Sequence, residues 1–158
     1  MNVTLTRCDV ASKQTLHHLY QFYLHDLSAF TDELQVEADG AFDTSHIDIF
    51  WEKEPLHPFL VRADGKVAGF ALVAGRPYAP EGADYSMVEF FILKRYRRQG
   101  VGREAARLVF DQFRGAWDVY ELEANLPAIR FWNGLISEYT EGRYTVLENG
   151  HRQRFTTP

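Results

Sequence analysis

The chain has 158 residues, a formal net charge of −5 and 15% aromatic residues. That length suits a single domain, residues 1–158, with a core of its own, and the aromatic content favours a compact, aromatic-rich interior over a disordered tail. The acidic balance argues against a general nucleic-acid binder, and Cys8, the one cysteine, cannot form an intrachain disulfide, which suits a reducing cytoplasm.

Residues 3–8 alternate loosely and predict a first strand. Asp9 can cap the helix that follows, whose apolar positions Leu16, Leu19, Tyr20, Tyr23, Leu24 and Leu27 recur at helical spacing. Its histidines, His17, His18 and His25, have no third ligand at metal-binding spacing and predict no metal site. Residues 28–45 are polar and irregular, with a short helix expected near Ile47 to Trp51. His57 to Ala63 and Lys66 to Ala74 predict two strands, joined by a two-residue hairpin turn at Asp64-Gly65. The longest apolar run, Val67 to Gly75, is too short to cross a bilayer, and the N-terminus has no apolar signal core.

A loop over 75–84 leads to the apolar run Met87 to Leu93, a strand with one charge in it, Glu89. Trp117 to Ala124 predicts a further strand, and Asn125-Leu126-Pro127 its exit into a buried helix holding Ala128, Ile129, Phe131, Trp132, Leu135 and Ile136. Tyr139 to Leu147 and His151 to Thr156 predict a closing hairpin through Asn149-Gly150. The sum is an α/β (α+β) fold, a mixed sheet of about six to seven strands flanked by helices.

The stretch from Lys94 to Arg103 carries the chemistry. It is a basic turn with Gly100 and Gly102, preceded by a strand and followed by the helix that holds Ala105, Leu108, Val109 and Phe113. The first turn of a helix has backbone N–H groups without intrahelical partners, at the positive end of the helix dipole. Two glycines let a ligand approach those donors, and Arg97, Arg98 and Arg103 add full charges, so the turn should hold a phosphate or pyrophosphate. The Gly-Lys-Ser/Thr ending of a Walker loop is absent. The dinucleotide fingerprint also fails, because Ala105 stands where its third glycine belongs.

What remains is Arg-x-x-Gly-x-Gly, Arg97 to Gly102, between strand and helix. It resembles the acetyl-CoA pyrophosphate loop of the GNAT N-acetyltransferase superfamily. A second pattern, Asn125, Ala128, Phe131 and Trp132, is similar to that family's later Asn-x-x-Ala-x-x-Phe/Leu-Tyr motif, and the element order is the family's too. The stretches His25-Asp26-Leu27-Ser28, Gly69-Phe70-Ala71-Leu72, Glu89-Phe90-Phe91 and Phe131-Trp132 look like a bacterial group of predicted acetyltransferases, a likeness that supplies no acceptor.

The resemblance implies direct acetyl transfer from acetyl-CoA, as cosubstrate and without a metal, to a small-molecule or peptide amine in the cytoplasm. It leaves a homodimer open and points to no nucleic-acid or membrane partner. The pyrophosphate would sit on Arg97, Arg98, Gln99, Gly100, Val101, Gly102 and Arg103, the pantetheine along Phe90, Phe91, Ile92 and Leu93, and the arm of the coenzyme against Asn125. A backbone N–H near Phe90 would polarise the thioester oxygen. Glu89 is the first candidate for the base that frees the amine of its proton, with Glu121 and Glu123 on the next strand behind it. A strand register off by one would turn Glu89 to the other face. Tyr20, Tyr23 and Asp26 of the first helix are candidates for the acceptor pocket, with core packing the plainer reading of the tyrosines. Trp132 replaces the Tyr that in many relatives protonates the leaving thiolate, and indole N–H has no such acidity. Tyr139 and Tyr144, in the expected hairpin, are the replacement acids the sequence offers, and water is the alternative. That substitution keeps a second possibility open, a coenzyme-binding or sensing module with weak chemistry.

Overall fold

The computed structural model describes all of residues 1–158. One mixed sheet has the strand order β1-β2-β3-β4-β5-β7-β6. Its strands are β1 (Val3–Arg7), β2 (Leu56–Ala63), β3 (Lys66–Gly75), β4 (Tyr85–Ile92), β5 (Ala116–Tyr120), β6 (Thr145–Leu147) and β7 (Arg152–Thr156). Three helices flank it: α1 (Lys13–Leu27), α2 (Val101–Gln112) and α3 (Leu126–Thr140), with a 3₁₀ helix at Ser45–Trp51. Asp9 accepts from the Ser12 N–H at 2.9 Å and so caps the 3₁₀ turn that enters α1. Asp64 and Gly65 both take positive φ, 50° and 79°, as a two-residue turn between twisted strands requires.

β2 and β3 are buried on both faces and read as near-continuous apolar runs. Leu60, Phe70, Leu72 and Phe91 pack under α1 and the 3₁₀ helix, with Leu16, Leu19, Tyr20, Leu24, Ile47 and Phe50. Phe59, Ala71, Val73 and Met87 pack on the other face, under Val109 and Phe110 of α2 and Trp132, Leu135 and Ile136 of α3. Arg103 and Arg107 both pair with Glu138, Arg107 at 2.9 Å, which ties α2 to α3.

Two elements differ from the sequence reading. β5 stops at Tyr120 rather than Ala124, where its pairing with β7 ends at Tyr120↔Arg152. Glu121 and Glu123 therefore lie past the strand rather than on it. α3 runs on to Thr140, because Leu135, Ile136 and Tyr139 continue the helical spacing of its buried face. Gly142, at φ 79°, ends it by donating to the Ser137 carbonyl at 2.8 Å. Tyr139 is thus a helix residue, and the closing hairpin is short, Thr145–Leu147 against Arg152–Thr156.

β4 and β5 are parallel neighbours for only part of their length. Tyr85, Ser86 and Met87 pair with Trp117, Asp118 and Val119, and beyond that the strands diverge. From Val88 onward the β5-facing edge of β4 has no strand partner, and a wedge opens between the two strands.

Candidate active site

That wedge is a cleft of about 170 Å³. Val88, Glu89 and Phe90 form its β4 wall, Tyr120, Glu121 and Leu122 the β5 wall, and Asn125, Ala128 and Trp132 its α3 wall. A strand edge without a partner presents alternate N–H and C=O groups, so an extended chain can pair there as a further strand.

Glu89 is aimed by a β-bulge. Against β3, Leu72 faces Glu89 and Val73 faces Met87, so Val88 is the extra residue. Without it, Met87 and Glu89 would share a face. With it, Met87 packs under α2 and α3 while Glu89 turns to the α1 side, near the Tyr20 and Tyr23 hydroxyls. Phe90 returns to the α3 face, its ring 6.0 Å from that of Phe131 and edge-on to Trp132 at 5.1 Å.

Burial pushes the Glu89 carboxyl up to about 7, and the two tyrosine hydroxyls offset only part of that. Oε2 is buried and has no hydrogen-bond partner. The same burial, with Glu89 as a negative neighbour, holds both tyrosines far above the usual phenol range. Glu89 also lines a second, larger cleft of about 300 Å³, on the α1 side. Tyr20, Leu24 and Leu27 of α1, Glu33, Phe42 and Asp43 of the following loop and His46 of the 3₁₀ helix line it. Tyr20 Oη is 3.0 Å from His46 Nε2. The carboxylate therefore stands where two clefts meet.

The basic turn follows β4 in the chain and leads into α2. Gly100 is the N-cap of α2, its φ of 81° places it in the left-handed region, and no atom lies within 4 Å of where its Cβ would be. None of the backbone N–H groups from Arg98 to Arg103 donates to another group of the chain; the first α2 bond of this turn is Glu104 N–H to Gly100 O, at 3.0 Å. Such a run of free donors at a helix N-terminus is what a phosphate needs.

The structure brings only some of the sequence candidates to that turn. The Arg98, Gln99 and Gly100 surfaces are exposed. Arg97 is committed elsewhere, donating to Ile92 O and Asp26 Oδ2, both at 2.7 Å, so its charge braces the turn. Asp26 is spent in that pair and lines neither cleft. Arg103 faces Glu138, and Val101 is buried in the core. The Phe91 and Ile92 side chains are buried too, and the Leu93 N–H donates to Ala68 O at 2.8 Å, so these residues have backbone at most to offer a ligand. Asn125 lines the cleft, but its Oδ1 caps α3 by accepting from Ala128 N–H at 3.2 Å.

Glu123 is exposed and lines neither cleft. Glu121 lines the first, and burial pushes it up to about 7. The two tyrosines offered as replacement acids are engaged away from the cleft: Tyr139 donates to Asp111 at 2.7 Å, and Tyr144 to Asn133 at 3.3 Å. His46, Phe42 and the residues around Glu33 are not singled out by sequence, since a polar irregular loop carries no periodicity that would place them. No group of three or more His, Cys, Asp or Glu residues is gathered as a metal ion would need, and no helix is long and apolar enough to cross a membrane.

Comparison with known proteins gives the family and the fold. The model of the Acetyltransferase (GNAT) family matches residues 16–135. Among solved structures, an acetyltransferase from Thermus thermophilus superposes with a TM-score of 0.69 at 16% identity, over 100% of this chain and 97% of the other. A GCN5-related N-acetyltransferase from Kribbella flavida gives 0.64 at 18% identity, over 98% and 97%. The ribosomal-protein-S18-alanine N-acetyltransferase from Escherichia coli gives 0.57 at 15%, over 97% and 90%. No curated protein matches in sequence.

Proposed function

The chain belongs to the GNAT acetyltransferase family, and from that membership we infer that it moves the acetyl group of acetyl-CoA directly to a primary amine. The observation that carries this reading is the buried Glu89 carboxylate, one oxygen of it without a partner, at the junction of two clefts, one between β4 and β5 and one on the α1 side.

In this reading the N–H groups from Arg98 to Arg103 hold the pyrophosphate, with Arg98 beside them. The pantetheine lies along the open edge of β4, and the acetyl group comes to rest beside Glu89. The amine enters from the α1 side. An alkylammonium with a pKa of ~10.4 is almost wholly protonated at neutral pH, so a base must free it. A carboxylate lifted to about 7 is matched to that task, because it exchanges protons with both amine and solvent near the working pH. The α1-side cleft is lined by Glu33, Asp43 and Glu89 and by no Lys or Arg, which favours a cationic acceptor.

The test is thiol release from acetyl-CoA over a panel of diamines, amino acids, aminoglycosides and peptides, with acetylated product identified by mass spectrometry. Amine-dependent release supports the enzyme. CoA binding without release across the panel supports the weak-chemistry module, the reading that Trp132 favours by occupying the usual acid's place. Heat-silent calorimetry with both CoA and acetyl-CoA removes both readings.

A further inference from the structure

Glu121 follows the last residue of β5, on the wall of the cleft opposite Glu89. It is only 5% exposed. Gln153 Nε2 of β7 donates to its Oε1 at 2.8 Å, while Oε2 is buried, faces no donor and belongs to a residue that lines the cleft with Phe90 and Trp132. A buried carboxylate with an unsatisfied oxygen is costly, and the protonated form relieves most of that cost.

The surroundings favour the same form. On β5, Asp118 acts as a negative neighbour, and on β4 Glu89 shares the cleft. Tyr23 of α1 and Tyr120 of β5 also face it. Arg152 of β7 is the one cation acting on Glu121, and its guanidinium is held by Asp118 at 3.0 Å. Ala128 and Trp132 of α3 and its N-cap Asn125 line the cleft too, none of them ionisable. Burial, the largest effect, leaves the group titrating at about 7. An enzyme of this design must return a proton to sulfur, and neither Trp132 nor the engaged hydroxyls of Tyr139 and Tyr144 is placed to give one.

We propose that Glu121 is the general acid of this site, donating its carboxyl proton to the sulfur of the departing CoA. The assignment rests on the acetyl-transfer reading. The amine nitrogen attacks the thioester carbonyl carbon and a C–N bond forms. The C–S bond then breaks, its electron pair passes to sulfur, and sulfur takes the Glu121 proton. Glu89 takes the proton lost by the amine nitrogen. The two carboxyls finish with their protons exchanged, and solvent restores both before the next turnover.

The pH profile of kcat/KM, which reports groups of the free enzyme, is then a bell centred near neutrality. The rising limb reports ionisation of Glu89, and the falling limb ionisation of Glu121. Glu121→Gln should remove the falling limb, lower kcat roughly tenfold or more at slightly acid pH and leave KM for acetyl-CoA within about twofold. Glu89→Gln should remove the rising limb instead. A second readout needs neither turnover nor a variant: ultraviolet titration of the CoA thiolate bound to wild-type protein. Once ionised, Glu121 would face the sulfur and hold the thiol protonated to a higher pH than in free CoA. A falling limb that survives in Glu121→Gln, or a bound thiol that ionises at or below the pH of free CoA, overturns the assignment while the acetyl-transfer reading stands. Wild-type protein that transfers to no amine removes both together.

Discussion

Glu89 and Gly100 show how much single residues decide here. If Glu89 is the base, Glu89→Gln keeps the shape and removes it, so kcat at neutral pH should fall by ~10²-fold or more with CoA affinity kept. The same substitution should stabilise the fold in alkaline solution. The folded carboxyl titrates at about 7 against an ordinary 4.5, so below the lower value both states are protonated and nothing is lost. Between the two values the unfolded chain ionises first, and stability declines as pH rises. The variant lacks that decline, so urea denaturation at pH ~8 should find it more stable by up to ~3 kcal/mol, and at pH ~4 equal to wild type. A gain at acid pH alone would mean that the carboxylate is not held in a desolvating place. At Gly100 a side chain has open space but a positive φ, and an Asp there would set a carboxylate among the donors of the turn. Gly100→Asp should weaken CoA binding at least ~tenfold, about 1.4 kcal/mol by calorimetry. Unchanged affinity would move the pyrophosphate elsewhere.

β4 is the element on which the site depends, and β3 holds it from behind. A Cβ on Gly69 would collide with the Phe91 carbonyl oxygen, so β3 and β4 can approach as they do only with glycine there. Gly69→Ala should cost ~2 kcal/mol or more in urea denaturation and lower kcat as well, because β4 must shift and carries Glu89 and Phe90 with it. A stable variant with normal turnover would show that the strand gives way more easily than the geometry allows. The order of elements was legible in the sequence because each carried its own period and its own punctuation: Asp9, Asp64-Gly65, Gly100, Asn125-Leu126-Pro127. The basic turn was legible because glycine spacing states backbone conformation directly. The bulge at Val88 was not, since an extra residue in an apolar run leaves the composition of the run unchanged. Nor was the bracing role of Arg97, whose partner Asp26 lies on a helix far away in sequence. The end of β5 was misplaced because Leu122 continues an alternation that pairing with β7 does not support.

The molecule as a whole is a sheet in two parts, β1 to β4 and β5 to β6, paired only through Tyr85–Met87 with Trp117–Val119. α2 and α3 bridge the parts beneath the cleft, through the core around Phe110 and Trp132 and the Arg103, Arg107 and Glu138 pairs. A ligand that pairs with β4 while touching Glu121 and Asn125 on the far wall would close the gap between them. Acetyl-CoA at 100 times its Kd should then add ~2.7 kcal/mol to stability, which for a chain of this size means a Tm rise of ~5–10 °C. Hydrogen exchange locates the effect more sharply than the melting point does. Protection should rise at the amides from Arg98 to Arg103 and at alternate amides of Val88 to Ile92, the groups left without partners in the free protein, while β1, at the far edge of the sheet, changes little. Because the chain carries −5 overall, any attraction of CoA to the turn would be local, and added salt should weaken binding by screening Arg98 rather than the whole surface. Protection at the turn without protection along β4 would mean that the phosphates dock while the arm hangs in solvent, an arrangement that could bind the coenzyme but not present its thioester to Glu89.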